Sequence, residues 1–225
     1  MSPHLILASA SPRRAALLEM LGLTFSVHPS HVSEDLEEAD GPCDHVLQIA
    51  TRKAEAVAVD YASGIVLGAD TVVVLDNDII EKPVDTADAR AMLRRLAGRT
   101  HEVYTGVILI DAESGKTETG VQVTRVQIRD LNDHDIHAYA ATGEPLDKAG
   151  AYAAQGQAAV FIEAITGCFY NVVGLPLTLV WSMLERLLQQ SPWNALGSTG
   201  GRSGDVDLVT RPSADTSPSS DSIES

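Results

Sequence analysis

The sequence predicts a mixed α/β domain in which helices flank a twisted central sheet. Hydrophobic residues make up 44% of the 225 residues, which is enough to build one sizeable core. The run from Ile65 to Leu75 is apolar at almost every position, as expected of a strand that is covered on both faces. Strand-like and helix-like segments do not alternate strictly along the chain, so a regular parallel βα sheet is not expected.

The first half of the chain shows a clear order of elements. A short apolar strand begins at Leu5, Ser11 and Pro12 are typical of a helix start, and Gly22 ends that helix. The other elements predicted here are a strand over 24–27, an acidic loop over 33–38, a helix from the N-cap Asp44 to about Ala62, the strand over 65–75, a turn at 76–78 and a helix over 86–97.

Apolar spacing also defines the second half. Two strands over 103–111 and 119–128 are joined by a turn that contains Gly115, and a shift of the apolar face between Val123 and Val126 predicts a β-bulge. Asn132 caps a short helix that ends near Ala141. A strand over 160–165 and a helix over 176–188 complete the domain, which we predict to span residues 1–190.

The last segment of the chain differs in composition. Gly, Ser and Pro make up 16 residues of 191–225, together with five acidic residues and two arginines. Such a segment buries too little apolar surface to offset its chain entropy, so we predict that 191–225 is a disordered tail. Trp193 and Leu196 are the residues of this segment best suited to pack back onto the domain.

The charge balance limits the classes of partner. The 16 Lys and Arg residues face 31 Asp and Glu residues, and the net charge of −15 disfavours general binding to nucleic acid. No run approaches the roughly 18 apolar residues of a membrane span, and the short N-terminal apolar run lacks the basic region of a signal peptide. Cys43 and Cys168 show no metal-ligand spacing, which favours a reduced, cytoplasmic setting.

An unusual pair of arginines stands at the start of the first helix. Because a helix N-terminus carries about half a positive charge, cations are disfavoured there. Arg13 and Arg14 nevertheless occupy the first turn, beside the hydroxyl groups of Ser9 and Ser11. A bound phosphate chain explains this combination, and the alternative is an exposed arginine pair that contacts carboxylates elsewhere.

Three other charged residues stand out from their surroundings. Asp70 lies within the apolar strand, where an unpaired carboxylate is costly, so a site role is favoured over a structural ion pair. Lys53 lies at the edge of an apolar helix face, and the alternative there is a lysine whose head reaches solvent. Pro83 holds Lys82 extended, so that it can point into a cleft, although most loop lysines are solvated. The acidic loop over 33–38, Glu34 included, is by its composition expected to be solvated.

The stretch from Leu7 to Arg14 resembles the signature of the Maf family, the septum-formation-inhibitor-like nucleoside triphosphate pyrophosphatases. Further similar blocks lie at 53–54, 82–85, 144–156 and 174–176, so that the resemblance covers about 5–188. It implies a two-lobed fold with a cleft, like that of the inosine triphosphatases. It also implies hydrolysis of a nucleoside triphosphate to the monophosphate and pyrophosphate.

The resemblance assigns roles to the candidate residues. Asp70 is implied as the general base that activates water for attack on the α-phosphorus, and Glu34 as a ligand of Mg²⁺ or Mn²⁺, with Asp70 as a second candidate ligand. The resemblance further implies that Lys53 and Lys82 belong to the catalytic centre. The residues implied to bind the phosphates are Arg13, Arg14, Lys53, Lys82, Ser9 and Ser11. The expected partner is the nucleotide substrate, and the oligomeric state stays open, a homodimer included.

The rival interpretation is a nucleotide-sensing regulator of cell division that binds without turnover. Asp70 disfavours it, because a carboxylate that faces phosphates weakens binding unless it does chemistry or holds a metal.

Three positions in the matching blocks bear on the base that is bound. One branch of the family prefers dTTP and UTP, and another prefers a methylated guanosine triphosphate. Arg13, Thr71 and Gln155 match the pyrimidine branch. A Gln amide offers both a donor and an acceptor to the O4/N3 edge of uracil or thymine, so the resemblance predicts a dTTP/UTP pyrophosphatase.

Overall fold

The computed structural model describes residues 3–34 and 39–197. Within them the strands are β1 (Leu5–Leu7), β2 (Phe25–Val27), β3 (Ile65–Leu75), β4 (Asp78–Ile80), β5 (Thr100–Asp111), β6 (Thr117–Ile128) and β7 (Ile162–Thr166). The helices are α1 (Pro12–Met20), α2 (Pro42–Ala58), α3 (Thr86–Leu96), α4 (Asp133–Ala140), α5 (Phe169–Val173), α6 (Leu177–Leu188) and α7 (Pro192–Leu196). Short 3₁₀ segments lie at Glu144–Asp147, Ala149–Ala151 and Gln157–Phe161. The acidic residues at 35–38 and the predicted tail from 198 onward lie outside the described residues.

The strands form one mixed sheet, which confirms the predicted mixed α/β class. Their order is β2-β1-β3-β5-β6-β7, and β4 pairs with β3 beside this path. β1 is parallel to both β2 and β3, whereas the pairs β3–β5, β5–β6 and β6–β7 are antiparallel. The three central strands place alternate side chains in two apolar layers, one against α1, α6 and α7 and the other against α2.

One edge of β3 is only partly covered. β1 pairs with β3 as far as Leu7↔Leu67, and β4 begins to pair with the same edge at Val73↔Ile80. Among the described residues no strand therefore pairs with positions 68–72 at this edge. The opposite edge of β3 pairs with β5 from Ile65 to Val74. The strand is therefore fixed in the sheet at the positions where its first edge is unpaired.

Helix α2 lies unusually close to the sheet behind this gap. A Cβ atom at Gly68 would lie 2.4 Å from the carbonyl oxygen of Ala50, and one at Gly106 would lie 2.6 Å from the backbone of Val46. Since neither glycine has a side chain, the α2 backbone can approach β3 and β5 directly. This close contact carries Lys53, which lies one turn beyond Ala50, to the face of β3 that bears Asp70.

The predicted boundaries of α2 and of β7 are wrong. Asp44 is not the N-cap of α2, because the helix already begins at Pro42, a residue favoured in the first turn, and it ends at Ala58. Asp44 lies in the first turn, where its carboxylate accepts a hydrogen bond from Gln48 Nε2 at 2.7 Å. The strand predicted over 160–165 begins later, at Ile162, because Gln157–Phe161 forms a 3₁₀ turn.

The predicted bulge between Val123 and Val126 is also wrong. Pairing of β5 with β6 is continuous from Thr100↔Gln127 to Ile110↔Thr117. The irregularity lies between Gln127 and Ile128, where β6 pairs with β7. The shift of the apolar face between Val123 and Val126 is therefore not caused by an extra residue in the strand.

The start of the predicted tail packs on the domain. Ala195 and Leu196 in α7 are buried, and the ring of Trp193 lies 4.4 Å from that of Trp181, centroid to centroid. Trp193 Nε1 also donates a hydrogen bond to the carbonyl of Leu21 at 2.8 Å. The expected packing of Trp193 and Leu196 is thus confirmed.

Candidate active site

The gap at the edge of β3 opens into a cavity of about 540 Å³. Asp70 and Thr71 both line it, although consecutive strand residues point to opposite faces, because the cavity wraps around the unpaired edge. The structure brings together in its lining all ten residues singled out from the sequence: Ser9, Ser11, Arg13, Arg14, Glu34, Lys53, Asp70, Thr71, Lys82 and Gln155.

Four of these side chains form a continuous chain of ion pairs. Lys53 Nζ lies 2.8 Å from Asp70 Oδ1 and 2.7 Å from Glu34 Oε1. Lys82 Nζ lies 3.2 Å from the other oxygen of Glu34. Lys53 and Asp70 are only 7% and 8% exposed, so the alternative of a lysine head in solvent does not hold.

The charge state of Glu34 follows from these contacts. Burial alone would raise the pKa of Glu34, but the hydrogen bond and charge of Lys53, together with Lys82, lower it to about 2. Glu34 is therefore a carboxylate throughout the physiological range, although half of its side chain is exposed.

Arg14 is buried in the wall between two elements of the site. Its Nε donates to the carbonyl of Gly174 at 2.9 Å, Nη1 to Ser9 Oγ at 3.0 Å and Nη2 to Thr71 Oγ1 at 3.2 Å. Burial lowers the pKa of Arg14, and the charge of Asp70 opposes that shift. Because a guanidinium carries five N–H groups, Arg14 can join these elements and still donate to a ligand.

The hydroxyl of Ser9 is arranged to donate. Its oxygen accepts hydrogen bonds from the Ser11 N–H at 3.3 Å and from Arg14 Nη1 at 3.0 Å. Since both bonds use Ser9 as the acceptor, its own proton can be given to a ligand oxygen in the cavity.

Arg13 behaves differently from its neighbour. Its Nη1 lies 3.6 Å from Asp147 Oδ2 at the surface. This contact agrees with the alternative prediction, in which an exposed arginine contacts a carboxylate elsewhere in the chain. Such exposed pairs contribute little stability, so this contact does not prevent Arg13 from binding an anion in the cavity.

Several lining residues were missed in the sequence. Asp147, Lys148 and Tyr152 come from the block 144–156 that resembles the family, from which only Gln155 was chosen as a site residue. His45 also lines the cavity, two helical turns before Lys53 on α2. The spacing of 45, 49 and 53 places these residues on one helix face, so this signal could have identified His45.

The donor set fits a divalent cation that is shared with phosphates. Glu34 and Asp70 lie on either side of Lys53 Nζ, so their carboxylates converge on one region of the cavity. In residues 3–34 and 39–197, no group of three or more His, Cys, Asp or Glu side chains is arranged to hold a metal by itself. Mg²⁺ sites often use one or two carboxylates and complete the shell with substrate phosphates and water, which two residues can satisfy.

None of the helices within the described ranges combines the length and the apolar character needed to cross a membrane.

Several known proteins are similar to this chain over most of its length. A dTTP/UTP pyrophosphatase of Pelotomaculum thermopropionicum is 48% identical over 183 residues, which are 81% of this chain and 96% of that protein. A dTTP/UTP pyrophosphatase of Desulforamulus reducens is 49% identical over 174 residues, 77% of this chain and 91% of its own. One of Salinibacter ruber is 48% identical over 186 residues, covering 82% and 91%. The family model described as Maf-like protein matches residues 4–187, and the chain therefore belongs to the Maf family.

Proposed function

We propose that this protein hydrolyses nucleoside triphosphates, with dTTP and UTP preferred, to the monophosphate and pyrophosphate. The observation that carries the proposal is the chain of ion pairs that joins Asp70, Lys53, Glu34 and Lys82 in the cavity whose lining also contains Ser9 and Arg14. The names of the relatives, all dTTP/UTP pyrophosphatases, support the same reaction.

Asp70 acts as the general base in this proposal. It is held on a rigid strand and is paired with Lys53 at 2.8 Å, so its carboxylate is fixed in position to accept a proton from the attacking water. Lys53, Lys82 and the free N–H groups of Arg14 bind phosphate oxygens and stabilise the charge that develops there. The hydroxyls of Ser9 and Ser11 add hydrogen bonds at the same wall.

A divalent cation, Mg²⁺ or Mn²⁺, is proposed to be held by Glu34 and Asp70 together with substrate oxygens. When bound, it neutralises phosphate charge and increases the electrophilicity of the phosphorus. Arg13, Thr71 and Gln155 are proposed to select the pyrimidine base. A cytoplasmic location is proposed because Cys43 and Cys168 show no metal-ligand spacing and are expected to be reduced. A homodimer stays a prediction.

The test is pyrophosphate release from dTTP, UTP, CTP, GTP and ATP in the presence of Mg²⁺ or Mn²⁺, with the Asp70→Asn variant measured beside the native protein. We expect kcat/KM to be highest for dTTP and UTP, and Asp70→Asn to lower kcat by about 10² or more while the nucleotide still binds. The matched control is Asp133→Asn on α4, which removes an exposed carboxylate paired with Arg94 and should leave turnover unchanged. Binding of nucleotides without pyrophosphate release by the native protein would instead support the nucleotide-sensing regulator.

A further inference from the structure

The turn that carries Gln155 is closed by a backbone hydrogen bond and is held at its end by a carboxylate. Gln155 follows Ala154 and precedes Gly156, whose N–H donates to the Ala153 carbonyl at 3.1 Å. At the end of the turn, the N–H of Gln157 donates to Glu144 Oε2 at 3.1 Å.

Glu144 joins this turn to a buried tyrosine. Its second oxygen, Oε1, accepts a hydrogen bond from the Tyr139 hydroxyl at 2.9 Å. Tyr139 is itself fixed, because it is buried and its ring meets that of Phe161 edge to face at 5.3 Å. Burial and the hydrogen bond to Glu144 raise the pKa of the Tyr139 hydroxyl, so it remains a donor at neutral pH. One carboxylate therefore connects a buried tyrosine to the backbone after Gln155.

Gly156 shows how closely the carboxylate approaches the turn. A Cβ atom at this position would lie 2.0 Å from Glu144 Oε1 and 2.5 Å from its carboxyl carbon. The φ angle of Gly156 is −111°, which any residue adopts, so backbone strain is not the reason for a glycine here. The space beside Gly156 is filled by the Glu144 carboxylate.

The orientation of Gln155 matters because its amide can be read in two ways. Uracil and thymine present an O4 acceptor and an N3–H donor, whereas cytosine presents an N4–H₂ donor and an N3 acceptor. A Gln amide turned by half a rotation exchanges its own donor and acceptor, and would then match cytosine. Discrimination between the two bases therefore depends on where the turn places the amide relative to the base edge, because the backbone alone does not fix the terminal torsion of a Gln side chain.

We propose that Glu144 is a positioning residue that sets the discrimination between uracil or thymine nucleotides and cytosine nucleotides, given the pyrimidine substrate proposed above. It acts through the backbone of the 153–157 turn and does not touch the phosphates. Loss of its carboxylate frees the Gln157 N–H and the Tyr139 hydroxyl, so the turn shifts and the Gln155 amide no longer meets the O4/N3 edge of uracil in its matched position. Recognition of uracil weakens, and cytosine is no longer rejected.

The experiment compares kcat/KM for UTP and CTP in Glu144→Ala, with Glu163→Ala on the exposed face of β7 as the matched control. We expect the UTP/CTP ratio to fall by about 10-fold in Glu144→Ala, which is the effect of one lost matched hydrogen-bond pair, and to stay unchanged in Glu163→Ala. The dissociation constant for inorganic pyrophosphate, which has no base, should change by less than about twofold. Tyr139→Phe is a milder variant and should shift the ratio in the same direction.

Two double variants test whether Glu144 acts through the turn. In a Gln155→Ala background, Glu144→Ala should cause no further change in the UTP/CTP ratio. Gly156→Ala should lower the ratio in the native background by displacing the carboxylate, and should add nothing in the Glu144→Ala background, where the clash is absent.

The outcomes separate this inference from the proposed function. An equal fall for UTP and CTP, or an unchanged ratio in a selective native enzyme, overturns the role of Glu144 alone. A native protein that releases no pyrophosphate, or that does not prefer UTP over CTP, overturns the proposed pyrimidine specificity and this inference together.

Discussion

The contact between Lys53 and Asp70 can be tested by its coupling energy. Lys53→Met keeps most of the side-chain volume but removes the ammonium group, and leaves Asp70 buried at 8% exposure without its partner at 2.8 Å. Removal of one member of a buried ion pair typically costs about 3–5 kcal/mol. Because both side chains also face the cavity, we expect the lower end, about 3 kcal/mol. For a domain of this size that corresponds to a fall in Tm of roughly 6–12 °C.

The second variant, Asp70→Asn, removes the carboxylate that Lys53→Met leaves without a partner. Asp70→Asn alone should cost only about 1–2 kcal/mol, because Lys53 keeps its contact with Glu34. In the double variant no uncompensated carboxylate remains at position 70. The double variant should therefore be about 1–2 kcal/mol more stable than Lys53→Met, although it is expected to be inactive.

The assay is urea denaturation at pH 7 of the native protein, both single variants and the double variant. Lys116→Met, in the exposed turn between β5 and β6, is the matched control and should change the free energy of unfolding by less than about 0.5 kcal/mol. If the losses from the two single variants simply add in the double variant, the ammonium of Lys53 is not held by Asp70. The description of this charge network would then be refuted.

Two further predictions concern stability. Glu34 has a pKa of about 2 in the folded protein against an ordinary value of 4.5, so its contribution is complete above pH 4.5 and is lost as the pH falls toward 2. Since half of its side chain is exposed, we expect that contribution to be only about 1 kcal/mol, and Glu34→Gln should show the corresponding deficit in urea unfolding at pH 7 and a smaller one at pH 3. A deficit independent of pH would contradict this. Truncation after Ser191 should lower the free energy of unfolding by about 2 kcal/mol relative to truncation after Gly197, because it removes the buried Leu196 and the contact with Trp181. Equal calorimetric Tm values for the two truncations would show that α7 does not stabilise the domain.

The strand and the carboxylate at the centre of the site could be predicted from the sequence for local reasons. β3 is apolar on both faces over its whole length, so its existence needs no tertiary information. Asp70 is conspicuous because it interrupts that run. The existence of α2 and the apolar face beside Lys53 are likewise local properties.

The partners of these residues could not be predicted, because they depend on packing between distant segments. Arg14 reads as a phosphate ligand from its position in a helix start, yet it also bonds to Gly174, which is 160 residues away in the chain. The close contact between the Glu144 carboxylate and Gly156 forms only when the segment after α4 folds back on itself. α5 and α7 have five residues each, which is too short for a helical period to show in the sequence.

The balance of charge in the cavity supports the proposal that a divalent cation binds together with the substrate. Among the described residues, its lining contains five cationic and four carboxylate side chains, an excess of only one positive charge: Arg13, Arg14, Lys53, Lys82 and Lys148 against Glu34, Asp70, Glu81 and Asp147. The chain as a whole carries −15, so its long-range field also opposes an anionic ligand. A nucleoside triphosphate brings about four negative charges at neutral pH, as expected from the second ionisation of a phosphate near pH 6. Lys53 is bound to Glu34 and Asp70, and Lys82 is bound to Glu34. While these ion pairs persist, the protein's own cations cannot balance the charge of the triphosphate. A cation that takes over the two carboxylates would free both lysines for the phosphates, so metal binding and phosphate binding should each strengthen the other.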